Sequence, residues 1–320
     1  MPRSSNVFVE PADRYDVVII GGGIAGLTAA TLLGRACRRV AVVDAGQPRN
    51  GPADEVHGFP SRDGISPAEL VRLCRSDLEQ YDVELVSGQV IRVNEDRQAE
   101  LADGRVLQGR HLLLATGLRD TLPDIAGARE RWGRDLLHCP YCHGWEMRNQ
   151  ALAILGTGQS SVQQSILVRS FSADVTLIVQ DGLVLSGDDV RSLEAMGVDV
   201  VEGTAQRLLI REDALDAVVL ADGRTVPCRA LFCEPVATVD PALADIPGCT
   251  LDADGCLETD DNGRTGADRI WAVGNVTDPS GQVVAVAGDA YRLAVALNAQ
   301  LLEEDTEAAL SGGERAAVSL

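Results

Sequence analysis

A chain of 320 residues, 45% of them hydrophobic, is long enough for two domains with separate cores. Its formal charge of −20 at pH 7 argues against nucleic acid and anionic membrane partners, which would repel it before contact. All 28 cationic residues are arginine, which excludes lysine Schiff-base chemistry and a P-loop lysine.

The segment Met1–Arg14 is polar, and the first apolar run, Val17–Ile20, breaks at Gly21 before it could act as a secretory core. No other stretch reaches the length of a membrane span. A cytoplasmic protein is therefore expected, in which eight cysteines do not imply a disulfide framework and a CxxC reads as redox or metal chemistry.

Tyr15–Ile20 is a β-branched run that predicts a strand, followed by the turn Gly21-Gly22-Gly23-Ile24-Ala25-Gly26 and a helix over Leu27–Gly34. Arg39–Val43 predicts the next strand, closing at Asp44. This is a βαβ unit of about 30 residues with an acid about 20 residues past the glycines, the spacing of a dinucleotide fold. Gly21 makes the turn, Gly23 lets backbone approach a pyrophosphate, and Gly26 lets helix pack on strand. The N-terminus of that helix supplies amides and a positive dipole end to phosphate, the turn residues Ile24 and Ala25 are expected at the cofactor with the glycines, and Asp44 would accept from a ribose.

A second unit begins at Leu152–Leu155, turns through Gly156-Thr157-Gly158-Gln159-Ser160-Ser161, continues as helix to about Ser170 and returns as strand Val175–Val179. The expected fold is α/β with two Rossmann-like dinucleotide-binding domains, whose connecting strands are Arg110–Ala115 and Arg229–Cys233. Towards the end, Ile270–Ala290 predicts a strand entering a glycine turn, then a helix to about Leu302. The acidic tail Glu303–Leu320 is expected to fray or be disordered.

Between the two units stands His138-Cys139-Pro140-Tyr141-Cys142-His143-Gly144-Trp145-Glu146. A CxxC brings two sulfurs to bonding distance within one turn, and a helix N-terminus would favour thiolate on Cys139. A zinc site would need two more ligands, from Cys228 with Cys233 or Cys249 with Cys256, but neither pair has tight spacing and Cys233 lies in a predicted strand. No metal is expected, and the other six cysteines read as small core residues. Of four histidines, two flank the CxxC: His143 or His138 could act as base near pH 7, with Glu146 orienting it or serving as a second acid/base group. His57 and His111 read as structural.

Together the Gly21–Gly26 turn, Gly58-Phe59-Pro60, Ala115-Thr116-Gly117, Cys139/Cys142 and Gly274-Asn275 resemble the low-molecular-weight thioredoxin reductase family of flavoproteins, over nearly the whole chain. The resemblance implies a homodimer with a discontinuous FAD domain on 1–118 and 245–320, and an inserted pyridine-nucleotide-type domain on 119–244 carrying the CxxC. It places FAD against the first glycine turn, Ala115, Thr116, Gly117, Gly274, Asn275, Gln282 and Val283.

Four departures matter. The second glycine motif does not end in the family's alanine, and its next strand runs into Gln180-Asp181-Gly182 where the family places arginines for the 2′-phosphate of NADPH. An aspartate there would repel that phosphate, although NADH remains conceivable through Asp181. Histidine replaces the family's aspartate after the second cysteine, and Asn275 replaces the aspartate of its Gly-Asp. This combination looks like the dithiol oxidases that close disulfides in natural products such as gliotoxin and holomycin. The resemblance then implies a small-molecule dithiol substrate and O2 as acceptor. An NAD(P)H-dependent thioredoxin-disulfide reductase is the alternative, and a non-catalytic flavin-bound sensor a third.

Overall fold

The computed structural model describes residues 15–94, 96–241 and 246–317, so the polar start Met1–Arg14 lies outside the described residues. The chain divides into two compact units, one drawn from Met1–Arg49, Ala68–Arg119 and Ala237–Leu320, the other from Asn50–Pro67 and Asp120–Val236.

In the first unit, strand Tyr15–Ile20 is buried at every position, which its continuous apolar run dictates for a central parallel strand. It pairs in parallel with Val40–Asp44 on one side and Val106–Leu114 on the other. Val83–Ser87 extends the sheet outward, and Ile270–Ala272 pairs with the far end of Val106–Leu114. The start of that strand turns to a different partner, running antiparallel to Gln98–Leu101, which in turn pairs with Val90–Val93. Helix Ile24–Arg35 buries Leu27, Ala30 and Leu33 in one core with Leu297 and Leu301 of the last helix.

Residues 303–317 of the tail expected to fray are instead helical, as part of the helix Val283–Ala317, and residues 318–320 lie outside the described residues. Two of its acids are held by arginines, Arg110 of the strand Val106–Leu114 and Arg38 of the loop before Val40–Asp44. Glu304 lies 2.9 Å from Arg110, and Asp305 lies 2.6 Å from Arg38 and 2.7 Å from Arg110. Buried His111 closes this cluster: its Nδ1 accepts from Trp271 Nε1 at 3.1 Å, so its proton sits on Nε2, 3.2 Å from Glu304 Oε1. Burial pushes its pKa down to about 4, against the pull of Glu304. The structural reading of His111 fits this placement.

In the second unit, a parallel sheet runs in the order Asp199–Glu202, Val175–Val179, Leu152–Gly156, Ala230–Phe232, Leu136–Leu137. A separate antiparallel sheet contains Ala205–Arg211, Ala214–Leu220 and Thr225–Pro227. The loop Asn50–Pro67 is anchored within this unit: a Cβ on Gly133, whose φ is +81°, would fall 2.5 Å from the Pro52 carbonyl oxygen. Cys228 and Cys233 are core thiols, pushed up to about 12 by burial. Cys37 departs from the expected core role, since it is exposed at a positive φ of 60° just past the first helix.

Candidate active site

Cys139 and Cys142 form a disulfide with a Cα–Cα distance of 5.3 Å. Pro140 starts a helix that ends at His143, with Cys139 as its N-cap. One turn carries little macrodipole, so the dipole expected to favour thiolate is replaced by a single directed contact. The Cys142 N–H donates to Cys139 Sγ at 3.2 Å, a donor aimed at the sulfur that becomes anionic when the pair is reduced. The turn is fixed from below: a Cβ on Gly144 would meet Phe171 Cδ2 at 2.6 Å and Pro140 O at 2.6 Å. Tyr141 and Trp145 stay exposed beside the pair, and Arg148 stacks 4.1 Å above the Trp145 ring.

His143 follows the second cysteine and is half-buried. Burial holds its imidazole below its ordinary pKa, Glu146 pulling the other way, with His57 adding to the fall and Asp54 opposing it. Glu146 stands three residues on, in the turn that follows the helix, and is exposed. His138 precedes the pair, and its backbone oxygen accepts from Gln164 Nε2 at 2.9 Å.

His57, which the sequence reads as structural, lies among carboxylates. Its Nε2 lies 3.6 Å from Glu146 Oε1 and 3.2 Å from Glu55 Oε2, while Nδ1 lies 3.4 Å from Asp63 Oδ1. The signal available was its place immediately before Gly58-Phe59-Pro60, already singled out, but nothing local connects residue 57 to residue 146.

The second glycine turn is closed on itself. Ser161 Oγ accepts from Thr157 N at 3.2 Å and Gly158 N at 3.4 Å, the amides that such a turn would otherwise offer to a pyrophosphate. Ser160 donates to Glu234 at 2.5 Å, and Asp181 accepts from Thr204 at 2.5 Å, so two carboxylates flank this end of the sheet.

The first glycine turn is built differently. A Cβ on Gly21, φ +111°, would fall 2.2 Å from Ala115 O, so the turn presses on Ala115-Thr116-Gly117. At Gly23, the helix N-cap, a Cβ would meet nothing within 4 Å, and no side chain caps the helix. A Cβ on Gly274, φ +87°, would come 3.0 Å from Ala25 Cβ. These candidates therefore gather at the carboxyl ends of the parallel strands, where α/β sheets bind ligands. Asp44 accepts from Gly22 N at 3.1 Å and pairs with Arg75, which leaves lone pairs for a ribose. Asn275 Nδ2 donates to Asp278 O at 2.9 Å and Gly281 O at 3.0 Å, so its carboxamide is a loop staple that a carboxylate could not replace. Gln282 and Val283 stand at the start of the last helix, where Gln282 O accepts from Val286 N at 2.8 Å.

Two parallel-sheet units with glycine turns, one carrying a vicinal redox disulfide, define a dinucleotide-fold disulfide oxidoreductase. Residues 15–292 match the pyridine nucleotide-disulphide oxidoreductase family, to which the chain belongs. It is a thioredoxin reductase-like, flavin-dependent disulfide oxidoreductase, as the sequence leads one to expect. The crystal structure of HlmI is 43% identical, with a TM-score of 0.90 over 97% of this chain and 99% of that one. Thioredoxin reductase sirT of Leptosphaeria maculans is 29% identical over 316 residues, covering 92% of this chain and 96% of its own length. Thioredoxin reductase tcpT of Claviceps purpurea (strain 20.1) is 34% identical over 226 residues, 67% of this chain and 68% of that protein.

Proposed function

We propose that this chain is an FAD-dependent dithiol oxidase that closes an intramolecular disulfide in a small-molecule natural-product dithiol. The observation that carries this reading is the self-closed second glycine turn, where Ser161 takes the amides of Thr157 and Gly158 and Glu234 and Asp181 stand nearby. A pyridine nucleotide would have to displace the hydroxyl and tolerate the acids, so electrons enter from the dithiol instead.

His143, neutral near pH 7 because of its burial, removes a substrate thiol proton, with His138 the other candidate base. The substrate thiolate attacks Cys139 Sγ, the Cys139–Cys142 bond breaks, and its electron pair leaves on Cys142. The second substrate thiolate then attacks the substrate sulfur of the mixed disulfide and expels Cys139 as thiolate, towards which the Cys142 N–H points. Substrate has lost two protons and two electrons and leaves as a disulfide. FAD supplies the acceptor that reoxidises the pair, with O2 as final oxidant yielding H2O2. The open space at Gly23, the uncapped helix start and the gathered Ala115–Gly117 and Gly274 segments fit FAD on the first unit.

The reductase alternative is favoured by the names of sirT and tcpT as thioredoxin reductases. A homodimer is supported by exposed Val284, Tyr291, Val295 and Leu302, spaced seven, four and seven residues apart on one face of the last helix. A cytoplasmic setting is supported by six free cysteines beside the one redox disulfide. Among the described residues no helix is long and apolar enough to cross a membrane. The reading is tested by oxygen uptake: dithiol should drive it with equimolar peroxide and no nucleotide, and uptake that requires NAD(P)H would refute it.

A further inference from the structure

We infer that Tyr141 and Trp145 determine specificity at the redox turn, as an aromatic platform for a flat, ring-bearing, uncharged dithiol; this inference rests on the dithiol oxidase reading above and deepens it.

Aromatic residues make up only 3% of the chain. Among the described residues the exposed aromatics are Tyr141, at 75%, Trp145, at 64%, and Tyr291. Tyr291 lies on the last helix, on the face that supports a dimer, so the two rings of the redox turn are the ones without an occupant in the account so far. Open ring faces forgo the gain of leaving water, which makes two of them on one short turn a mark of a ligand surface rather than of the fold.

Their place ties them to the sulfurs. Tyr141 stands between Cys139 and Cys142 in the helix Pro140–His143, and Trp145 follows that helix directly after Gly144. The turn is held in shape by Gly144 N donating to Pro140 O at 2.7 Å and Met147 N donating to His143 O at 3.2 Å. A molecule whose thiol reaches Cys139 Sγ therefore arrives beside these rings. Trp145 is also held in place. The Arg148 guanidinium lies 4.1 Å from its ring centre, and Arg148 Nη1 donates to Trp145 O at 2.7 Å. One face of the indole is covered by this cation and the other is open. A ring pinned on one side loses little freedom when a flat ligand covers its open face.

Size and charge select the class of ligand. The exposed residues that follow Trp145 are Glu146, Arg148 and Asn149, so the apolar surface is confined to the two rings. The acid and the cation offset one another, and nothing at the platform selects a charged substrate. A specific protein partner needs about 800 Å² on each side, whereas an aromatic side chain offers about 150–250 Å². Two rings match a small ring system, which gains from offset stacking as well as from burial.

The test compares two dithiols that close the same six-membered disulfide ring, 1,2-benzenedimethanethiol with an arene and dithiothreitol with a diol. Anaerobic rapid mixing with the oxidised holoenzyme follows flavin bleaching in wild type, Trp145→Ala, Tyr141→Ala and Trp145→Phe. Wild type should half-saturate with the arene dithiol at a concentration at least roughly fivefold below that for dithiothreitol. Each alanine variant should shrink that preference at least about threefold, through the half-saturating concentration and not the maximal rate, and Trp145→Phe should keep most of it. Equal half-saturating concentrations in wild type, or a preference that the alanine variants keep, overturns the platform, while bleaching by either dithiol leaves the oxidase reading standing. Reduced thioredoxin that bleaches wild type at micromolar concentration and fails with Trp145→Ala, the arene preference being intact, assigns the rings to a protein partner and also overturns it. A wild-type enzyme that neither dithiol bleaches overturns both readings.

Discussion

Ser161 Oγ sits 3.2 Å from the amide nitrogen of Thr157, inside the turn where a dinucleotide domain would hold a pyrophosphate. Ser161 is buried, so its removal leaves the Thr157 and Gly158 amides without this acceptor. Ser161→Ala should cost about 1–2 kcal/mol in urea unfolding. It should leave dithiol-driven bleaching intact and create no NADPH binding, because Glu234 and Asp181 remain.

Gly144 cannot carry a side chain while Phe171 keeps its place. Gly144→Ala should displace the Pro140–His143 turn and slow disulfide exchange by at least roughly tenfold, since small misplacements are costly at reacting centres. The double variant Gly144→Ala/Phe171→Leu should recover only part of that rate in stopped-flow bleaching, because the Pro140 carbonyl oxygen, 2.6 Å from the added Cβ, still crowds it.

Asn275→Asp exchanges a donor for an acceptor facing the carbonyls of Asp278 and Gly281. Two hydrogen bonds are lost and a carboxylate is set against two oxygens, costing about 2–3 kcal/mol. Thermal scans with flavin fluorescence should show a lower Tm and easier FAD release, even though aspartate is the residue expected from the family resemblance.

The His111 cluster gives the protein an acid limit. The folded pKa of about 4 lies below the ordinary histidine value, so the unfolded chain takes the proton first as pH falls. Stability is fully present above about pH 6.5 and declines as pH drops towards 4, by up to about 3 kcal/mol from this group. Glu304, whose pKa is also depressed, loses its stabilisation in the same direction, chiefly through its bond to Arg110 against the cost of burial. Chemical denaturation from pH 7 to 4.5 should show the decline, and His111→Gln should flatten it.

Much of this fold is legible because periodicity and glycine turns are local. Strand Val175–Val179 falls where its apolar run places it, and Tyr15–Ile20 forms the strand its β-branched run predicts. Hidden features depend on partners far along the chain. The acidic tail becomes helix because Arg38 and Arg110 meet Asp305 across more than 190 residues. His57 meets Glu146 through a loop whose placement no pattern of period 2 or 3.6 encodes. The closed second turn is intermediate: Gln180-Asp181 discloses the missing cation, but only the fold shows Ser161 occupying the amides.

Direction of electron flow is the central claim, and anaerobic titration of the purified yellow protein tests it most directly. An NADPH reductase needs a charge-assisted contact to the 2′-phosphate; losing one costs roughly 1.5–3 kcal/mol, about a tenfold to hundredfold loss of affinity. Here a facing acid and a self-closed turn add to that loss. NADPH at micromolar concentration should leave the flavin oxidised, one equivalent of a small dithiol should bleach it, and air should restore the colour with release of peroxide. Stoichiometric bleaching by NADPH, coupled to reduction of thioredoxin, would contradict the account.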